Sequence, residues 1–247
     1  MTVAPSSVQE APPLLEFDHV SAGYGPFRAT FDVSFSIASG SVLALLGANG
    51  AGKTTVARVC SGLVSVSSGT VRFEGVDITA LPAWRRARLG ISQAPEGRSV
   101  FSSLTVEENL SLEFRRSLGT AGTGAALERA YELFPLLGDR RRQAAGTLSG
   151  GEQRMLSLAR VMVRPPKLLV VDELSLGLAP IIVDEIYELL RRIRDAGASL
   201  LIIEQYIGHA LAIADEAILL RHGEVALQAP ASELGDLGDQ IFGAGQD

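Results

Sequence analysis

The chain predicts an α/β fold made of a parallel-sheet core, an antiparallel β subdomain and an inserted α-helical subdomain. Three observations carry that reading. Ser41–Leu46, Lys167–Val171 and Ser199–Ile203 are short apolar runs of the kind found in strands buried in a parallel sheet. Phe31, Val33, Phe35 and Ile37 alternate with polar residues and, with Leu14–Val20, suit antiparallel strands that cover one side. Ala94 to Arg164 is predominantly helical by pattern.

Size and composition bound the rest. A chain of 247 residues, 47% of them apolar, can bury one large core with an inserted subdomain. No apolar run reaches the roughly 18 to 20 residues that span a bilayer. Met1 to Pro13 is Ser/Pro-rich, lacks the basic-then-apolar pattern of a signal peptide, and reads as a disordered tail. The single cysteine, Cys60, excludes an internal disulfide and suits a reducing cytosol. A net charge of −6 and a pI near 5.2 argue against a protein that lives on nucleic acid or anionic lipid. Only two of the 22 basic residues are lysines, Lys53 and Lys167, so a lysine inside a glycine-rich loop asks for a chemical reason.

Taken in order, Val71 and Phe73 after Gly69 extend the antiparallel region. Tyr24, in the turn Ser21–Gly25, can stack on an adenine ring or be an ordinary exposed tyrosine. The strand Ser41–Leu46 runs into Gly47-Ala48-Asn49-Gly50-Ala51-Gly52-Lys53-Thr54 and then a helix from Thr55 to Cys60. Strand, glycine loop and helix in that order are the setting of a phosphate-binding loop. Its N–H groups wrap phosphates, Lys53 reaches the β- and γ-phosphates, and the Thr54 hydroxyl ligates Mg²⁺. Asp77 to Gly90 holds Trp84 and Arg85-Arg86-Arg88, expected as a solvated helix face. Gln93, after a strand Gly90–Ser92, opens a segment running to Phe101; it could reach Mg²⁺ and the attacking water, or be a plain loop glutamine. Gly119 to Ala125 is expected as a flexible loop, and Arg140-Arg141-Arg142 as a solvated run or a contact with a partner or lipid headgroups.

Leu148-Ser149-Gly150-Gly151-Glu152-Gln153 opens a helix: Ser149 is an N-cap and Glu152 completes a Ser-x-x-Glu capping box. Bare N–H groups and the helix dipole make such a start an anion site. The helix carries Met155, Leu158, Ala159 and Met162 on one face and stops before Pro165-Pro166. The strand from Lys167 ends in Asp172, suited to Mg²⁺, and Glu173, suited to act as general base on water. An amphipathic helix follows from Ile181 to Arg194; Ser199–Ile203 is followed by Glu204-Gln205; Glu216 to Ala226 forms a hairpin.

In this order, Tyr24, the phosphate loop, Gln93, Leu148–Gln153, Asp172-Glu173 and Gln205 closely resemble the ATPase subunits of ABC transporters, from about Leu14 to Pro230. The resemblance implies a P-loop NTPase (RecA-like) core at about 14–93 and 165–230, a helical subdomain at about 94–164 and a C-terminal extension at 231–247. It implies ATP and Mg²⁺ as cofactors. Tyr24, Gly47 to Thr55 and the partner's Ser149, Gly150 and Gly151 hold nucleotide, Thr54, Gln93 and Asp172 hold Mg²⁺, and Glu173, Lys53 and Gln205 act on the γ-phosphate. It further implies a head-to-tail pair with a second ABC ATPase, transmembrane permease subunits, indirectly a solute-binding protein, no nucleic-acid partner, and a cytoplasmic place at the inner face of the membrane.

A narrower likeness is visible in Gly47–Thr55, Ala94–Phe101, Leu104–Leu110, Tyr131–Pro135 and Ser175–Pro180, which look like the F-type ATPase subunit of branched-chain amino acid (Liv-type) importers. Subunits of urea and short-amide importers are similar, and a catalytically weak regulatory module is a further alternative. Three departures from the general ABC pattern stand out. Gln205 occupies the usual switch-histidine position, and Leu174 the place of the proline after the catalytic glutamate. The aspartate expected in Leu176–Pro180 is missing. Gln205 can bond a γ-phosphate but cannot share a proton near neutral pH as histidine can. The first and third departures match the Liv F-type pattern, which implies a non-identical partner.

Overall fold

The computed structural model describes residues 12–94, 100–162, 165–205 and 207–234. The strands β1 (Leu15–Tyr24) and β2 (Phe27–Ile37) form an antiparallel hairpin, followed by β3 (Val42–Leu46), α1 (Lys53–Cys60), β4 (Val66–Phe73) and β5 (Val76–Asp77). Four of these build one antiparallel sheet in the order β2-β1-β4-β5. Next come α2 (Ala83–Leu89), β6 (Ile91–Ala94), α3 (Val106–Leu133), α4 (Pro135–Asp139), α5 (Gly150–Met162) and β7 (Leu168–Asp172). The chain continues through α6 (Pro180–Asp195), β8 (Ser199–Glu204), α7 (Ile207–Leu211), β9 (Glu216–Arg221), β10 (Glu224–Pro230) and α8 (Ala231–Leu234). The second sheet has the order β10-β9-β3-β8-β7-β6, parallel throughout except for the β9–β10 hairpin at its edge.

Every residue of β3, β7 and β8 is buried, because helices or the other sheet cover both faces of these strands. The strand period of two then divides their side chains between two clusters. Val42, Ala44 and Leu46 join Leu110 and Phe114 of α3, Leu156 of α5 and Ile186 of α6. Leu43 and Leu45 join Val56 and Val59 of α1 and Phe17, Phe35 and Val71 of the antiparallel sheet. The glycine-rich loop after β3 therefore springs from a strand locked on both sides.

The helical region is fastened at its start. Thr105 caps α3 in a reciprocal box with Glu108, whose N–H donates to the Thr105 hydroxyl at 3.1 Å. Asn109, fully buried, accepts from the Phe101 N–H at 2.8 Å and donates to the Phe101, Leu104 and Thr105 carbonyls.

The structure corrects several expectations. Gly119–Ala125 is not a loop: α3 continues through it, broken only at Gly119 (φ 73°, ψ 176°), because Thr123, Ala126 and Ala130 bury against the core. Arg86 is not solvated. It is 1% exposed and donates to the carbonyls of Leu81, Thr79, Val59 and Cys60, while Arg85 and Arg88 flank the exposed ring of Trp84. A full helical turn cannot put three neighbouring arginines on one face, so the middle one turns inward. Gln93 lies within β6 rather than after a strand, and Tyr24 is the last residue of β1 rather than part of a turn. Residues 1–11 of the tail, 95–99, Val163, Arg164, Tyr206, 235–247 of the C-terminal extension and the Met162 side chain lie outside the described residues.

Candidate active site

The parallel strand order β3-β8-β7-β6 sets four strand ends side by side, and ligands of such sheets bind beyond those carboxyl ends. The registers pair Leu46 with Glu204, Asp172 with Ile203, and Gln93 with Val170. Lys53, Asp172, Glu173, Gln93 and Gln205 are thereby gathered from distant sequence along one edge.

The loop from β3 to α1 needs two of its glycines, Gly47 and Gly52, for packing. Gly47 (φ 155°) would bring a Cβ to 2.4 Å from the Leu220 carbonyl oxygen, and Gly52 (φ 103°) to 2.6 Å from that of Ala29. Gly52 also caps α1 in the left-handed region with no side-chain bond, leaving the first N–H groups of the helix for a ligand. The Lys53 ammonium, 3% exposed, curls into this loop and donates to the carbonyls of Gly47 (2.8 Å) and Ala48 (3.1 Å). It also pairs with Glu173 Oε1 at 3.4 Å.

Asp172 closes β7 at 1% exposure and accepts from the Thr54 hydroxyl at 3.5 Å. Glu173 follows in the left-handed region (φ 47°), which is strained for any residue but glycine, and its N–H donates to the Ile203 carbonyl at 2.9 Å. Gln93 Oε1 is buried and has no hydrogen-bond partner among the described residues. A hydroxyl, a carboxylate and an unsatisfied amide oxygen are the hard oxygen donors that suit Mg²⁺ when phosphate supplies the other ligands. Among the described residues, no group of three or more His, Cys, Asp or Glu forms a separate metal cluster.

Other candidates stand further out. Tyr24 is 43% exposed, and its hydroxyl accepts from Arg58 of α1 at 3.1 Å. Gln205 is exposed just past β8. Ser149 caps α5 as expected: its N–H donates to Glu152 Oε2 at 2.7 Å, and the Glu152 N–H donates to its hydroxyl at 3.4 Å. Among the described residues, no hydrogen bond or ion pair joins Ser149–Gly151 to residues 47–55. The start of α5 instead abuts Leu178 and Ile182.

A family model described as ABC transporter matches residues 30–175. The chain belongs to that family. It is an ABC ATPase, which binds and hydrolyses ATP, and among its described residues no helix is long and apolar enough to cross a membrane. It is similar to the high-affinity branched-chain amino acid transport ATP-binding protein BraG of Pseudomonas aeruginosa, with 41% identity over 90% of this chain and 94% of that one. The probable branched-chain amino acid transport ATP-binding protein LivF of Archaeoglobus fulgidus is 38% identical over 87% of this chain and 91% of its own. The lipopolysaccharide export system ATP-binding protein LptB of Escherichia coli is 32% identical, over 87% and 90%. Among solved structures, an ATP-binding subunit of an ABC transporter superposes with a TM-score of 0.78 at 26% identity, over 95% of each chain.

Two residues of this ABC ATPase escaped the sequence reading. Arg154 of α5 donates to the carbonyls of Glu173 (2.7 Å), Leu174 and Leu176 (2.9 Å). Glu204, which follows the apolar run Ser199–Ile203, is 1% exposed and accepts from the Ser175 N–H (3.1 Å) and hydroxyl (2.7 Å). Burial pushes the Glu204 carboxyl above its ordinary value, opposed by the Ser175 bonds. Burial beside Glu204 likewise drives the Tyr187 phenol up. A charged residue closing an apolar strand was the only available signal for Glu204. For Arg154 there was none beyond its place one turn after Gly150.

Proposed function

We propose that this ABC ATPase energises uptake of branched-chain or related amino acids. It acts opposite a second, non-identical ABC ATPase and is held at the inner face of the membrane by permease subunits that a solute-binding protein feeds. The observation that carries the solute reading is the 41% identity to BraG along nearly the whole of both chains. The LptB likeness at 32% marks how far this sequence type extends beyond amino acids.

The proposed chemistry follows from the strand-end cluster. Residues 14–93 and 165–230 form the nucleotide core and 94–164 the helical arm, with Tyr24 stacked on the adenine. The N–H groups from Gly47 to Thr55 (Gly47, Ala48, Asn49, Gly50, Ala51, Gly52, Lys53, Thr54, Thr55) wrap the phosphates, and Lys53 exchanges the Gly47 and Ala48 carbonyls for phosphate oxygens. Thr54, Asp172 and Gln93 would hold Mg²⁺, which would supply positive charge against the phosphate oxygens. Glu173, released from Lys53, takes the proton of the attacking water. Gln205 donates to the γ-phosphate, and the partner chain's counterpart of α5, whose start matches Ser149, Gly150 and Gly151 here, closes over it.

Purifying the assembly from its host tests this reading. Permease subunits and a second ABC ATPase are expected, with ATP hydrolysis that Glu173→Gln lowers at least about 100-fold. Recovery of the chain without them, or a Glu173→Gln assembly as active as the parent, overturns it. Stimulation by urea or an amide rather than by leucine, isoleucine or valine reassigns the solute.

A further inference from the structure

The turn that aims Glu173 is held from two sides by side chains of other elements. Leu174 stands where the family's proline would fix the backbone, so Glu173, at φ 47°, lacks that covalent restraint. Arg154 supplies a replacement. Its guanidinium, rooted in the first turns of α5, bonds the carbonyls of Glu173, Leu174 and Leu176. On the opposite side, Glu204 at the end of β8 takes both the N–H and the hydroxyl of Ser175. Nothing in the turn's own composition makes these bonds; they come from α5 and from the strand that leads into Gln205.

The start of α5 is itself seated hard. A Cβ on Gly151 would lie 2.6 Å from Ile182 Cγ2, so this end of α5 already touches the beginning of α6. A shift of the first turn of α5 towards α6 presses on Leu178 and Ile182.

We propose that Arg154 is a positioning residue for ATP hydrolysis: it ties the backbone carrying Glu173 to α5, in the place of the missing proline. This rests on the reading of Glu173 as the base that activates water. Under the head-to-tail arrangement, Ser149–Gly151 meet one nucleotide and Glu173 another, so Arg154 bridges the machinery of the two sites within one chain. A guanidinium can span three carbonyls because its donors are splayed and planar; an ammonium offers a compact point charge.

The test is steady-state hydrolysis by the assembled complex carrying Arg154→Ala or Arg154→Lys in this chain, with equilibrium binding of ATP to the isolated variants. Misaiming by a fraction of an ångström costs catalysis heavily and binding little, so Arg154→Ala should lower kcat on the order of 10- to 100-fold. KM and the ATP dissociation constant should stay within about twofold, since the phosphate loop is untouched. Arg154→Lys should recover part of the lost kcat. Parent-like kcat in Arg154→Ala overturns the proposal. So does a loss of ATP binding in step with kcat in both variants, which would mark a general folding role. Glu173→Gln in the same assembly separates the two readings. If it abolishes turnover while Arg154→Ala is fully active, only the Arg154 assignment fails; if it is itself active, the reading beneath it fails.

Discussion

Two helices of this chain begin at glycine-rich segments that look alike in sequence, yet their N-termini are built on opposite principles. Helix α1 starts after Gly52 with no side-chain cap, and Gly47 and Gly52 are required because Cβ atoms there would run into the backbone oxygens of Leu220 and Ala29. Helix α5 starts inside a complete capping box of Ser149 and Glu152, and its Gly151 is fitted against the side chain of Ile182. One helix keeps its first N–H groups unspent and enclosed; the other spends two donors on itself and presents the remainder at the surface. Glycine at a helix start thus serves a close approach of loop to backbone in one case and helix-to-helix packing in the other.

Substitution at the glycines probes this contrast most sharply. Gly52→Ala puts a side chain against fixed backbone at a strained φ, and ATP affinity of the isolated chain should drop on the order of 10- to 100-fold. Gly151→Ala meets only a methyl group; equilibrium ATP binding should stay within about twofold. Its melting temperature should fall by a few degrees, from an overpacking cost of roughly 1–3 kcal/mol. Equal loss of ATP affinity in both would erase the distinction. Lys53→Ala removes charged donors from the enclosed site, and roughly 10-fold or more weaker ATP binding is expected by calorimetry.

Smaller effects belong to the capped helix and its surroundings. Ser149→Ala removes the cap at a cost of about 1 kcal/mol, read as a melting shift of roughly 2–4 °C, while ATP binding by the isolated chain, whose own nucleotide site does not include Ser149, stays unchanged. The smallest is a slope with pH. Because the folded Glu204 carboxyl lies above its ordinary 4.5, the native state holds that proton more tightly than the unfolded chain. The contribution is full below 4.5 and is lost as pH rises through the raised value. Glu204→Gln lacks this loss, so its stability relative to the parent should improve as pH is raised from 4.5 towards 8 in thermal melts. A flat difference would mean Glu204 titrates normally in the fold.

What could be read from sequence was what is contiguous. The strand, loop and helix of residues 41–60, the capping box at Ser149 and the acidic end of β7 each declare themselves within a short window, because strand burial and helix capping are local. Arg86, Arg154 and Glu204 did not, since their partners lie on other elements and a charged side chain carries no local sign of facing inward. Gly119–Ala125 misled for a related reason. Its glycines weaken helix propensity, but burial of Thr123, Ala126 and Ala130 overrides that weakness.

The scarcity of lysine has one last consequence, for chemistry done on the protein from outside. The chain holds two side-chain amines: Lys167 is 54% exposed beside Glu74, while Lys53 is 3% exposed and bonded to the loop it serves. An amine-selective acylating reagent should mark Lys167 freely and spare Lys53 as long as the loop stays shut. The ratio of label at these two positions makes the protein its own gauge of loop opening, with Lys167 as the internal standard.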